Sequence, residues 1–320
     1  MRAVYYNHFG PAEVLTIGDL PVPVPGAGEV LLQVAATSVN PIDRRLRAGE
    51  LQPFFQRQFP IVPGWDVAGR IAALGSGVSG WQVGQAVAGL AFSWFLQHGT
   101  YAEYVPIATS AIAALPPGLS FTQAAALPTV ALTAWQAIVE EAKLCRGQSI
   151  LIQAGAGGVG SVAISIAKHF GAIVYTTARQ PNFDYVRARG ADMPIDYSEQ
   201  DYLAVLRAEV PQGLDAVIES LESERAVAGA IALVKDGGSV IYMNNPPPQT
   251  DEIQRRRIHT LFIHNRPDGP QLGRLLALFA EGALMLPDIE VWPLSAATLA
   301  HQRSESGRTR GKLVLEVAKL

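Results

Sequence analysis

Between Ser149 and Met243 the chain alternates short apolar segments with helix-forming ones. "SILIQA" (Ser149–Ala154), "AIVYTTA" (Ala172–Ala178), "LDAVIES" (Leu214–Ser220) and "GSVIYM" (Gly238–Met243) are separated by "VAISIAKHF", "NFDYVRARG", "DYLAVLRAE" and "ESERAVAGAIALV". The apolar segments are too uniformly hydrophobic to have one face in water, so they predict strands covered on both sides. Buried strands alternating with helices imply a doubly wound parallel sheet, an α/β architecture. "HTLFIH" (His259–His264) predicts a last strand and "GPQLGRLLALFAEG" a helix after it.

The turn after the first of these strands reads "QAGAGGVGSVAISIAKHFGA". Gly155, Gly157 and Gly160 fit G-x-G-x-x-G between a strand and a helix, the context in which the motif carries meaning. The first glycine permits a tight turn, the second lets backbone N–H groups approach a pyrophosphate, and the third lets helix and strand pack closely. Gly158 and Val159 lie at the start of the helix, where unpaired N–H groups and the helix dipole favour an anion. A dinucleotide is therefore expected here. The next strand ends in "TTARQPN", where Thr177 and Arg179 stand in place of the carboxylate that usually accepts the ribose hydroxyls of NAD. Arg179 offers a planar fork to a 2′-phosphate, and NADPH is the expected cofactor.

From Met1 to about Ser120 the punctuation is dense: "PVPVPGAGE", "VPGWDVAG", "ALGSGVSGWQVG" and "LPPGLS" break the chain into short pieces. Strands are predicted at Glu29–Val39, Asp66–Gly75 and Gln85–Phe92, giving an irregular β-rich domain. The alanine-rich stretch that follows is split into two helices by Pro128. The C-terminal "KLVLEV" predicts a strand with no helix after it, expected to return to the first domain. The 320 residues suit two domains, and 25 basic against 28 acidic residues give a net charge of −3. That balance offers no general attraction for nucleic acid or an anionic membrane. No apolar run reaches the length of a membrane span and the N-terminus lacks a signal-peptide core, so a cytoplasmic location is expected. The single cysteine, Cys145, excludes an intramolecular disulfide and a cysteine-rich zinc site, and is expected to be buried and structural.

Together, "SVNPIDRRLRAG", "VPGWDVAG", "GTYAEYV", "AALPTVALTAW", the glycine segment and "SGRTRGKLVLEV" run in the order found in the quinone oxidoreductase branch of the medium-chain dehydrogenase/reductase family, which the chain resembles over nearly its whole length. The resemblance implies a GroES-like β-rich catalytic domain from both chain ends (residues 1–122 and 264–320), a Rossmann domain between them (123–263), and an active site in the cleft. The positions at which zinc-dependent members place Cys, His and Cys fall on Asn40, Trp65 and Thr129, none of which supplies a thiolate or imidazole. The resemblance therefore implies a zinc-free enzyme. Without a Lewis acid, an acceptor that spreads charge over its own π system is the fitting substrate: a quinone or an α,β-unsaturated carbonyl compound.

The same resemblance places Asn40 and Thr129 beside the nicotinamide, with Met243, Asn244, Phe262 and Ile263 along its other side. Ser220 is placed near the ribose, Asn182 and Tyr197 near the 2′-phosphate, and Arg308 reaches the cofactor from the tail. Asn40, Asp43 and Thr129 are the catalytic candidates, although Asp43, like Asp66, matches a recurrent acid whose simplest role is to fix a loop through local hydrogen bonds. Two tyrosines common in bacterial members are here Arg45 and Leu51, so a phenolic proton donor is missing from the expected place. Arg45 either attracts a carbonyl-bearing substrate or sits solvated at the surface. Phe54, Phe55, Trp65, Phe92, Trp94 and Phe95 are candidates for an apolar pocket, Trp65 and Trp94 foremost. An enoyl-thioester reductase and an NADPH-binding protein with negligible turnover are the alternatives. "HTLFIH", as an exposed sheet edge, suggests a homodimer.

Overall fold

The structure, a computed structural model, describes residues 1–221 and 223–320. The chain divides into two compact units: Met1–Leu132 with Arg266–Gly282 and Leu286–Leu320, and Thr133–Asn265 with Ala283–Met285. Residues 123–132, assigned to the second domain from sequence, fall in the first unit.

The first unit begins with a small antiparallel pair, β1 (Arg2–Tyr5) and β2 (Thr16–Asp19). Its centre is β3 (Glu29–Val39), whose eleven residues are nearly all buried because it pairs along its length with other strands. Helix α1 (Pro41–Ala48), the short β4 (Gln56–Arg57), β5 (Asp66–Leu74), β6 (Ala86–Leu90), β7 (Phe95–Leu96), β8 (Tyr104–Ala108) and β9 (Ile112–Ala114) follow. Pro128 does separate two helices, α2 (Phe121–Ala125) and α3 (Pro128–Trp135), the second continuing in wider π geometry to Glu141. Val30, Leu32, Val34, Val67, Ile71, Val87 and Ile107 form the core of the sheet.

In the second unit the predicted alternation is realised: β10 (Ser149–Ile152), α4 (Gly158–His169), β11 (Ile173–Thr177), α5 (Phe183–Ala188), β12 (Met193–Ile195), α6 (Tyr202–Glu209), β13 (Leu214–Glu219), α7 (Glu224–Leu233), β14 (Val234–Tyr242), α8 (Asp251–Arg255) and β15 (His259–Phe262). Glu222, the first residue of one predicted helical stretch, lies outside the described residues. Among the described residues the six strands pair in parallel in the order β12-β11-β10-β13-β14-β15. The first strand thus lies in the middle, and the chain reverses its direction of travel between β10 and β13. That reversal opens a crevice at the carboxyl ends of the strands, the usual ligand position in such sheets. β12 escaped the sequence reading because it is three residues long with a proline at its centre, Pro194.

The chain then returns to the first unit with α9 (Gly269–Ala280), β16 (Ile289–Pro293), α10 (Ala297–Glu305) and β17 (Lys312–Glu316). "KLVLEV" is the expected strand and belongs to the first unit, where β17 runs antiparallel to β3, with Leu313 opposite Val39. Cys145 contradicts its expectation: it is exposed, on the turn before β10, with its backbone N–H on Gln148 Oε1 and its thiol on the Lys143 carbonyl. The apolar strand that follows it is buried, but the turn needed to enter that strand is not. Among the described residues no helix is long and apolar enough to cross a membrane.

Candidate functional site

The glycine turn is built by steric necessity. A Cβ on Gly155 would lie 2.0 Å from Thr176 Oγ1, and one on Gly160 would lie 2.3 Å from the Ala154 carbonyl oxygen. At Gly157 the nearest atom is 3.3 Å away, so one face of the turn is open. Gly157 is also the N-cap of α4 and has no capping side chain, and no acid stands in the helix's first turn. The N–H groups of Gly158, Val159 and Gly160 therefore lack intrahelical acceptors at a positive helix end, beside a face without side chains. A pyrophosphate fits these features.

Neighbouring strand ends brace this turn. Ala154 N–H donates to Thr177 Oγ1 (3.0 Å), Gly155 N–H to the Thr177 carbonyl (3.0 Å), and Thr176 Oγ1 to the Ile152 carbonyl (2.6 Å). Thr177 is buried, so its hydroxyl holds the loop. Several other expected cofactor residues gather at the same edge of the sheet. Ser220, after β13, donates its hydroxyl to the Gln153 carbonyl (3.1 Å), and Asn244, after β14, donates to the Ser220 carbonyl (2.6 Å). Met243 N–H bonds the Glu219 carbonyl, and Ile263 N–H, just past Phe262, bonds the Tyr242 carbonyl.

Arg179 is exposed at the end of β11, with Asn182 closing the short 3-10 turn after it. The same corner holds an acid that sequence spacing missed: Asp196, at the end of β12, accepts from Gln180 N–H (2.7 Å) and from Ser198 N–H and Oγ. The Ser198 hydroxyl, before the other donors and the nearby Arg179 charge, holds this carboxyl below the usual range. Its oxygens are thus already used in closing the loop. Tyr197, beside it, is half exposed. Arg308 belongs to the first unit, its side chain exposed in the turn before β17.

In the first unit two of the expected catalytic residues, Asn40 and Thr129, meet at one carboxylate, and the third, Asp43, bonds the Asn40 backbone instead. Asp66, fully buried at the start of β5, accepts on Oδ2 from Ser38 Oγ, Asn40 Nδ2 (2.8 Å) and Lys312 Nζ (3.4 Å). On Oδ1 it accepts from Thr129 N–H and Oγ1, both at 2.7 Å. Asp66 thereby caps the N-terminus of α3, just after Pro128. Lys312 is buried and reaches Asn40 Oδ1 at 2.6 Å and the Val39 carbonyl at 3.2 Å. Burial lowers its pKa, against the opposing pull of Asp66 and Asp43. Lys312 escaped the sequence reading, because a lysine opening an apolar strand ordinarily points to water.

The "NPxD" segment is a capping box. Asn40 is the N-cap of α1, Pro41 occupies the first helical position, and Asp43 Oδ2 accepts from Asn40 N–H at 2.8 Å. Asp43 is buried, and desolvation raises its pKa to about 7, the Asn40 N–H opposing it, Asp66 adding to it, and Lys312 and Tyr101 opposing it. Local bonding by Asp43 and Asp66, read from sequence as fixing loops, is what these contacts do.

Arg45 Nε pairs with Glu50 Oε2 at 3.1 Å, so its charge is already engaged, and Leu51 beside it is half-buried. Of the six candidate aromatics, four form a cluster. Phe55 stacks on Trp94 with ring centroids 5.2 Å apart, and Phe92 lies edge-on to Trp65 and to Trp94, 4.9 Å from each. Trp65 is buried and Trp94 is 60% exposed, so the cluster runs from core to surface. Phe54 and Phe95 are exposed. Among the described residues no three His, Cys, Asp or Glu side chains gather in a metal-binding group.

Comparison with known proteins agrees with this geometry. Residues 26–117 match the alcohol dehydrogenase GroES-like domain, and residues 189–315 a family model described as zinc-binding dehydrogenase. The chain is 32% identical to the chloroplastic quinone-oxidoreductase QR1 of Triphysaria versicolor, over 99% of this chain and 98% of that one. It is 34% identical to a chloroplastic NADPH-dependent alkenal/one oxidoreductase of Arabidopsis thaliana, over 75% of this chain and 62% of that one. The solved quinone oxidoreductase of Coxiella burnetii is 34% identical and superposes with a TM-score of 0.89, covering 99% of both chains. With a GroES-like β domain, a Rossmann sheet and full-length similarity to these enzymes, the chain belongs to the medium-chain dehydrogenase/reductase family, in its quinone oxidoreductase branch.

Proposed function

We propose that this enzyme is an NADPH-dependent, zinc-independent reductase that passes hydride to a quinone or an α,β-unsaturated carbonyl compound. The observation that carries the reading is that one chain holds both an uncapped glycine turn, in its second unit, and the buried Asp66 cluster, in its first. The first suits a dinucleotide. The second joins Asn40, Thr129 and Lys312 on one acid where zinc-dependent relatives place soft ligands.

When bound, NADPH supplies the hydride. Gly157 to Gly160 would hold its pyrophosphate, Ser220 and Asn244 would lie along its ribose and nicotinamide half, and Arg179, Asn182 and Tyr197 would face the 2′-phosphate. Asn40 and Thr129 would orient the reacting groups. The Phe55, Trp65, Phe92 and Trp94 cluster offers an apolar surface for a planar acceptor. No phenol stands at the Arg45 or Leu51 positions, so the proton that completes reduction is assigned to water. The edge strand β15 is read as the pairing edge of a homodimer, and a monomeric mass in solution removes that part of the proposal.

The test is loss of reduced-nicotinamide absorbance with a panel of quinones, enones and enoyl thioesters, before and after prolonged chelation. Turnover with quinones or enones that survives chelation is expected. Turnover confined to enoyl thioesters replaces the substrate class, and thermal stabilisation by NADPH without any turnover leaves a binding protein.

A further inference from the structure

A line of buried polar side chains in the first unit leads away from Asp43. Tyr101, fully buried, donates its hydroxyl to Asp43 Oδ2 at 3.3 Å. His301, on α10, has Nε2 3.3 Å from the Tyr101 oxygen, its ring edge-on to the tyrosine. Arg47, in the last turn of α1 and 2% exposed, has Nη1 2.9 Å from His301 Nδ1. Its other nitrogens donate to the Gly10 carbonyl (3.1 Å) and to Glu305 Oε1 (2.6 Å), where the line reaches solvent.

The direction of every hydrogen bond in this line follows from its guanidinium. Arginine has no acceptor, so His301 Nδ1 must accept. Burial, and then the Arg47 charge, push the His301 pKa down to about 3, so the ring is neutral and carries its one proton on Nε2. That proton points at the Tyr101 oxygen, leaving the phenolic proton for Asp43. All donors therefore point toward Asp43, and the line cannot run the other way. Asp43 Oδ2 collects two of them, Tyr101 O–H and Asn40 N–H, while Oδ1 is buried with no hydrogen-bond partner among the described residues. Hydrocarbon side chains would fill this space at less desolvation cost, so stability alone does not account for the arrangement.

We propose that Arg47, His301 and Tyr101 act as positioning residues for the reaction: their one-way donor line holds Asp43 as the acceptor of Asn40 N–H, and so fixes Asn40 where its side chain engages Asp66 and Lys312. The proposal rests on the reading of the Asp66 cluster as the reaction site. The charged and titratable groups around Asp43 are Asp66, Lys312, Tyr101, Arg47, His301 and Tyr6. Among the described residues only Tyr101 and Asn40 donate directly to its Oδ2, so loss of the Tyr101 hydroxyl raises the proton affinity of Asp43 and loosens its hold on Asn40.

The experiment uses the full chain with NADPH and a naphthoquinone, recording kcat and KM between about pH 5 and 9. Tyr101→Phe should move the acid limb of kcat up by about one pH unit, a loss of about fivefold at pH 7, with KM for NADPH little changed. His301→Leu should do the same, whereas His301→Gln, whose amide offers one acceptor and one donor, should restore most of the rate. An acid limb that stays in place in Tyr101→Phe, or a His301→Gln enzyme as impaired as His301→Leu, overturns the proposal. If the wild type shows no turnover, the functional reading fails first. The donor line is then tested by NMR, through the protonated nitrogen of His301 and the titration of the Asp43 carboxyl. A proton on Nδ1, or an Asp43 titration unmoved by Tyr101→Phe, overturns it.

Discussion

The glycine turn and the Asp66 cluster both bring polar groups together, with opposite materials. The turn uses backbone: six consecutive residues in which missing side chains create an open face and unpaired N–H groups. The cluster uses side chains brought to one acid from Ser38, Asn40, Thr129 and Lys312, at sequence separations of 28, 26, 63 and 246 residues. The first fails by acquiring atoms. The second fails by losing a charge.

The largest effect is expected in the cluster. Asp66→Leu leaves the Lys312 ammonium buried without its counterion and α3 without its cap, which should cost about 3–5 kcal/mol of stability. Chemical denaturation measures this, and a loss under about 1 kcal/mol would mean that Lys312 swings out to water.

The glycines should divide into two classes. Gly160→Ala forces a Cβ to 2.3 Å from the Ala154 carbonyl and should destabilise the second unit by about 1–3 kcal/mol. Gly157→Ala puts its Cβ 3.3 Å from the Ala154 carbonyl oxygen, so it should cost less stability than Gly160→Ala yet bind NADPH at least tenfold more weakly. Equal binding losses scaled to equal stability losses would erase the distinction between an open face and a packed one.

Protonation sharpens the contrast further, because two buried groups of the first unit have pKa values displaced in opposite directions. Asp43, raised to about 7, binds its proton more tightly when folded, so its contribution is fully present at acid pH and is lost as the pH rises toward 7. His301, lowered to about 3, is neutral when folded, so its contribution is present above the ordinary histidine range and is lost as the pH falls toward 3. Between about pH 4 and 6.5 the two oppose each other. Asp43→Asn should therefore make the melting temperature fall more steeply on acidification than in the wild type. His301→Gln should make it fall less steeply. Parallel melting curves for all three proteins would show that neither group is buried as described.

The smallest effect is expected at Arg179, which is exposed and already close to Asp196. Arg179→Ala should weaken NADPH binding by about 1 kcal/mol more than NADH binding, measured by calorimetry. Equal losses would remove Arg179 from the 2′-phosphate.

Most of the second unit was legible because its signals are contiguous. Four apolar runs with helical stretches between them predict a parallel sheet, and the glycines mark the turn at its centre. Asp196 was not legible, since it approaches the end of β11 only through the pairing of β12. In the first unit, Asn40, Asp43 and Thr129 could be singled out through resemblance. The convergence of Asn40 and Thr129 on Asp66 could not, because it depends on the register that sets Thr37 opposite Val67 and Leu313 opposite Val39. Cys145 shows the limit of residue-type averages: thiols are buried as a class, but this one sits on a turn.

The return of β17 to β3 has a consequence for synthesis. A ribosome that has made residues 1–285 has produced everything the Rossmann sheet requires, and that sheet can form on the emerging chain. The acid at Asp66 has no ammonium to face until residue 312 has cleared the exit tunnel, so the β-rich unit, although it starts first, is completed only after the Rossmann sheet has all of its strands.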